Sequence, residues 1–149
     1  MNFRWLAFLA LLAAPLAAHE HHPPHQGSLQ VLGDDFAHLE MVLDAKEGLL
    51  TAYALDGEAE EPVRLAQKEL RIRVTLSPSG RTVDLALKAV ANELSGETVG
   101  NTSQFEAHAK VLLGQTGFSG RLAQVDVRGA IFKQVRLAHP QGNEAGEKP

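Results

Sequence analysis

The chain has 149 residues, 14 Lys and Arg against 18 Asp and Glu, and no cysteine. A net charge of −4 with no basic stripe argues against a nucleic-acid partner. The lack of cysteine rules out disulfides and thiolate metal sites, so the fold must rest on packing alone.

The first segment, "MNFRWLAFLALLAAPLAA", has one basic side chain, Arg4, and then an apolar run from Trp5 to Ala18 broken only by Pro15. This pattern predicts a secretory signal peptide over residues 1–18, and the run falls short of the roughly 20 residues a membrane span needs. Cleavage is expected after Ala18, with no permanent membrane anchor left and a periplasmic or secreted destination. Loss of Arg4 leaves 13 basic against 18 acidic residues, a net charge of −5.

Residues 19–27 follow as a His-rich tail. "HEHHPPH" holds four of the seven histidines of the chain. Cleavage after Ala18 would make His19 the N-terminus. Its amine, two backbone amides and the imidazole of His21 could then wrap Cu(II) or Ni(II) in a square-planar chelate. Pro23 and Pro24 are expected to stiffen the tail into an extended form. The other interpretation of the run is a polar spacer.

From residue 28 to 139 the pattern is alternation of period two, which predicts half-buried antiparallel strands. In "SLQVLGDDFAHLEMVLD", Leu29 and Val31 and then Ala37, Leu39, Met41 and Leu43 form the apolar parity. A three-residue turn at "GDD" would set Leu32 against Phe36, Gln30 against His38 and Ser28 against Glu40. His38 and Glu40 would then project from one polar face. A tail folding back could bring His25, and with it His22, close to them, an imidazole and carboxylate shell suited to Zn(II) or Cu(II). Met41 lies on the apolar parity, where core packing is expected over copper ligation.

"LLTAYALD" follows the turn "DAKEG", with Leu49, Thr51, Tyr53 and Leu55 on one face. The acidic run "DGEAEE" predicts a solvated turn. "ELRIRVTL" alternates most clearly, and "TVDLALKAV" repeats the pattern after "SPSG". "ANELSGETVGNTSQ" predicts the longest loop, "AHAKVLL" another strand, and "RLAQVDVRGAIFKQVRL" two strands hinged at Arg128 and Gly129. Residues 140–149 lack apolar side chains and predict a disordered tail. The expected fold is all-β, a single antiparallel β-sandwich or small barrel of about seven or eight strands, with Leu39, Met41, Tyr53, Ile72, Val74, Leu85 and Val111 inside. No phosphate loop, nucleophile elbow or H-E-x-x-H motif is present, so no enzymatic activity and no organic cofactor are expected. The candidate metal ligands are His19, His21, His22, His25, His38 and Glu40, for a Cu, Zn or Ni ion. His108 and His139 have no ligand-like partners in the pattern.

"PPHQGSLQVLGDDFAHLEMVLDAKEGLLTAYALDGEAEEPVRL" resembles the periplasmic N-terminal domain of heavy-metal efflux adaptor proteins and small stand-alone secreted proteins like it. The resemblance covers about forty residues and rests on a His leading into a strand, a Gly-Asp turn, "HLEMVLD" and "LTAYALDG". It implies a β-sandwich-like fold, an association with divalent or copper-group metal export, and an efflux-system component as partner. His25-Gln26-Gly27 stands where the family has His-Gly-Gly, and Glu58 where a His is often found. The coiled-coil hairpin, lipoyl domain and barrel of a full adaptor have no counterpart here, so the role implied is an accessory one.

Overall fold

The computed structural model describes residues 21–144. The chain is all-β, with eight strands in one antiparallel sheet that curls into a nearly closed barrel. The strands are β1 (Ser28–Leu32), β2 (Ala37–Asp44), β3 (Leu49–Leu55), β4 (Glu69–Ser77), β5 (Thr82–Ala89), β6 (Gln104–His108), β7 (Gly117–Val127) and β8 (Ala130–His139). Their order across the sheet is β1-β2-β3-β6-β5-β4-β7-β8. The expected leader, the cut after Ala18 and His19 lie outside the described residues, as do residues 145–149.

The turns follow from local chemistry. The Asp44 carboxylate accepts the backbone N–H groups of Lys46 at 2.9 Å and Glu47 at 3.1 Å, closing the β2–β3 hairpin as Asp side chains commonly do. Between β7 and β8, Arg128 (φ 53°) and Gly129 (φ 86°) are both left-handed. Two such residues make the tight hairpin turn whose twist matches the strands it joins.

β4 shows the expected alternation without exception. Leu70, Ile72, Val74 and Leu76 are buried while Arg71, Arg73 and Thr75 face solvent. They join Leu39, Met41, Leu50, Ala52, Leu87, Phe105, Leu122 and Leu137 in a single core.

Several expectations need correction. The β1–β2 turn has four residues, 33–36, so Leu32 pairs with Ala37, Gln30 with Leu39 and Leu29 with Glu40. A one-residue slip moves every side chain to the other face. Ser28 and Gln30 therefore point inward, and Leu29 and Val31 lie half-buried on the outer face. Gln30 has a reason to be inside. Its side-chain amide donates to the Ala138 carbonyl and accepts from the Ala138 N–H, both at 2.9 Å. In effect it supplies a peptide group across the gap between β1 and β8. Asn143 finishes the seam: its side chain accepts the Val31 N–H at 2.7 Å and donates to the Val31 carbonyl at 3.1 Å. Residues 140–144 are thus bound to the barrel, contrary to the expected disordered tail.

On β3, Leu50, Ala52 and Ala54 form the core face, and Tyr53 is half-buried on the opposite side. Leu85 and Val111 are likewise half-buried, because β6 ends at His108 and Lys110–Leu112 forms a single 3₁₀ turn.

Candidate functional site

The outer face of β2 carries His38 and Glu40, and both are buried rather than exposed as the alternation implied, at 1% and 0%. Their cover is the His-rich segment 21–27, which turns back over the sheet. Pro24 takes the second position of a turn in which the Gln26 N–H donates to the Pro23 carbonyl at 3.1 Å, so the segment bends instead of running straight. Close approach at its end requires Gly27, since a Cβ there would lie 2.5 Å from the Met41 carbonyl oxygen.

Glu40 anchors this strap. Its carboxylate accepts the backbone N–H groups of His25 at 2.8 Å and Gly27 at 2.9 Å, and the His25 Nδ1–H at 2.7 Å. The His25 ring also stacks on Tyr53, with centroids 3.7 Å apart and planes inclined by 7°. Removal from water, followed by the negative charges of Glu106 and Glu40, raises the Tyr53 hydroxyl above its ordinary 10.0. His25 therefore does reach Glu40, but as a clasp for the strap.

A separate group forms around His38. Its Nδ1 lies 3.0 Å from the Asp56 carbonyl oxygen, which can only accept, so Nδ1 carries the proton. In the neutral ring, Nε2 is left with a free lone pair. That nitrogen is buried and has no hydrogen-bond partner. It lies 3.7 Å from Oδ1 of Asp35. The strap brings the His21 ring in edge-on, with its centroid 4.8 Å from that of His38. Ligand atoms of His21, Asp35 and His38 all lie within 4.8 Å of one another. In a tetrahedral zinc site, ligand atoms about 2.0 Å from the ion sit about 3.3 Å apart, so a small inward rotation of His21 would complete a three-ligand shell. The Nδ1–H to carbonyl bond is the outer contact that usually fixes a metal-ligating imidazole.

Of the six expected ligands, His21 and His38 come together here, and His25 pairs with Glu40. His22 is exposed and belongs to neither group, and His19 lies outside the described residues. His38 and Glu40 share a face, but the strap divides them between two groups. His108 sits exposed at the end of β6. The His139 ring bonds Ser28 Oγ at 2.8 Å, and burial pulls its pKa below the ordinary 6.5.

Asp35 is the member of this group that the alternation concealed. It looks like a turn residue, and it is one, left-handed at φ 50°. The four-residue turn also aims it back at His38 three positions on. An Asp-x-x-His spacing across a hairpin turn was the available signal. The acidic run supplies no side-chain ligand. The Asp56 carboxylate accepts the Glu60 and Glu61 N–H groups, and the Glu60 contact leads in lowering its pKa. Its contribution is the backbone carbonyl that orients His38.

Compared with family models, curated proteins and solved structures, the chain matches none.

Proposed function

We propose that this protein is an exported, non-enzymatic binder of a transition-metal ion, which it buffers or carries as an accessory to heavy-metal efflux. The observation that carries this is the buried, unpartnered Nε2 of His38, facing Asp35 and His21. A buried polar atom without a partner is costly, and a metal ion is one partner that removes the cost. Two imidazoles and one carboxylate suit Zn(II), and also Cu(II) or Ni(II). Three protein ligands would leave a position through which the ion could be taken up and released. The efflux connection rests on the resemblance of residues 23–65 to adaptor N-terminal domains. The resemblance also supports a periplasmic or secreted location.

The experiment is Zn(II) titration of the purified mature protein, with melting temperature as a second readout. Wild type should bind one ion and melt higher when loaded, because the ion binds only the folded state. His38→Ala and His21→Ala should each abolish the rise, and His22→Ala should keep it. A rise that survives His38→Ala would refute the site. A Cu(II) chelate on the His19 amine is a separate expectation. One extra residue before His19 would remove it and leave the Zn(II) effect intact. The clasp formed by His25, Glu40 and Tyr53 favours a second reading, in which the strap is a structural cover on an interaction barrel. That reading predicts no Zn(II)-dependent rise at all.

A further inference from the structure

The outer face of β5, β4, β7 and β8 holds an unusual row of charge. The register sets Asp84 opposite Arg73, Arg73 opposite Arg121, and Arg121 opposite Arg136. Directly opposed residues share a face, with Cβ atoms about 5 Å apart, and like charges so placed repel. Only one carboxylate answers the three guanidinium groups in this row. The Asp84 carboxylate accepts Nε–H and Nη2–H of Arg73, both at 2.7 Å, which leaves the Nη1 edge of that guanidinium open. Among the described residues, neither Arg121 nor Arg136 forms an ion pair. A chain with a net charge of −4 thus gathers unbalanced positive charge on one part of its surface.

Two backbone features shape this place. The β7–β8 ladder skips the pair Ala123 and Gln134, while the pairs on either side keep the same register. Gln134 is left-handed there at φ 51°, an uncommon state for a side-chain-bearing residue inside a strand. Its carbonyl accepts a hydrogen bond from Nη1 of Arg121 at 2.9 Å. That bond holds the guanidinium in place instead of letting it swing away from its neighbours. At Gly120, a Cβ would fall 2.1 Å from the Arg73 carbonyl oxygen. A glycine at such a point allows a sharp bend between strands. The face is hollowed into an open depression of about 820 Å³, lined by Arg71, Arg73, Arg121, Gln134 and Ser119, with Asp84 the single carboxylate among its lining residues. Repelling charge, a left-handed strand residue and a concave surface coincide here.

We propose that this depression binds a small molecule carrying at least two oxyanion groups. Arg121 takes one group and Arg73 the other, through the guanidinium edge that Asp84 leaves open. A planar guanidinium binds a carboxylate or phosphate through two parallel N–H donors. Two such forks, on neighbouring strands about 4.8 Å apart, match a dianion better than a single carboxylate. The site lies on β4, β5, β7 and β8, and the metal cluster on β2 with the β1–β2 turn and the strap. It stands or falls independently of the metal reading.

The probes are citrate, tripolyphosphate and, as a control, acetate, titrated into metal-free mature protein at constant ionic strength. Amide chemical shifts and calorimetry are followed together. Citrate or tripolyphosphate should saturate, moving the amides of Gly120, Arg121 and Gln134, while acetate should not. Whichever of the two saturates tells carboxylate from phosphate. Arg121→Gln should weaken binding at least about tenfold, and Arg121→Lys, which keeps the charge but loses the fork, should weaken it nearly as much. Without ligand, Arg121→Gln should melt no lower than wild type, because a like-charge neighbour has gone. A merely structural Arg121 would instead lower it. The proposal is overturned if neither polyanion saturates, or if Arg121→Gln leaves affinity within about twofold. Shifts spread over every basic side chain would also overturn it. So would a hexaglutamate peptide binding where both small anions fail, which would assign the face to an acidic protein segment.

Discussion

Replacing Gln30 by Met tests whether one side chain closes the barrel. Gln30 is fully buried at 0% exposure, and both ends of its amide are engaged by the peptide groups of Ala138. Methionine has similar length and volume but no N–H donor and only a weak acceptor. The substitution would leave the Ala138 N–H without a partner at the seam, while the Ala138 carbonyl keeps the Gly142 N–H at 2.9 Å. One unsatisfied buried group costs about 1–3 kcal/mol, and that is the expected loss. Ser28 loses two further contacts from Gln30 Nε2, to its hydroxyl at 3.0 Å and its carbonyl oxygen at 3.3 Å, but its hydroxyl keeps His139. For a domain of this size 1 kcal/mol shifts the melting temperature by about 3–5 °C, so a fall of roughly 3–15 °C should be seen by circular dichroism. Hydrogen exchange gives the local check: the Ala138 amide should lose protection far more than Ile72 or Leu122 in the middle of the sheet. A fall below about 2 °C with Ala138 still protected would show that the seam is held by something else, and the reasoning would fail.

Ile72→Ala should cost about 2–5 kcal/mol in denaturant unfolding, since Ile72 is enclosed in the core at 4% exposure. Tyr53 is the only tyrosine of the chain, so its ultraviolet titration reports on the strap. Glu40→Ala removes the clasp and one of the charges raising the Tyr53 pKa, and the titration should move down toward 10.0; an unchanged curve would separate Tyr53 from the strap. Burial depresses His139, so the unfolded chain takes up its proton more readily than the folded one. Its contribution to stability is whole above about 6.5 and is lost as pH falls through the lower folded value, so wild type should lose more melting temperature than His139→Asn between about pH 7.5 and about 5.

The fold was legible where the two faces of a strand meet different surroundings. β4 has core on one side and water on the other, and its alternation follows that contrast residue by residue. β2 has cover on both sides, the core beneath and the strap above, so polarity no longer marks the face. That is why His38 and Glu40 pass for exposed residues. Turn length compounds the difficulty: "GDDF" closes as four residues, and a slip of one inverts every assignment on β1. Gln30 is a harder case, because a side chain standing in for a peptide group leaves no trace in hydrophobic periodicity. The approach of the tail to the hairpin was legible from chain reach, since His25 lies only three residues before Ser28. Its division into a clasp and a separate His21, Asp35 and His38 group was not. That division depends on the turn at Pro24 and on the left-handed Asp35, both matters of backbone conformation.

None of the strap residues 21–27 belongs to the hydrophobic core. The barrel draws its stability from strands that begin at Ser28, while His21 reaches the candidate site from outside that framework. Substitutions at His21 and His22 are therefore largely decoupled from foldability, whereas His25 and Gly27 are tied to the buried Glu40. Lineages descended from such a barrel could gain, retune or discard a ligand here without compensating changes in the interior. On the proposed reading, a metal preference carried on an external strap would evolve on a separate course from the fold beneath it.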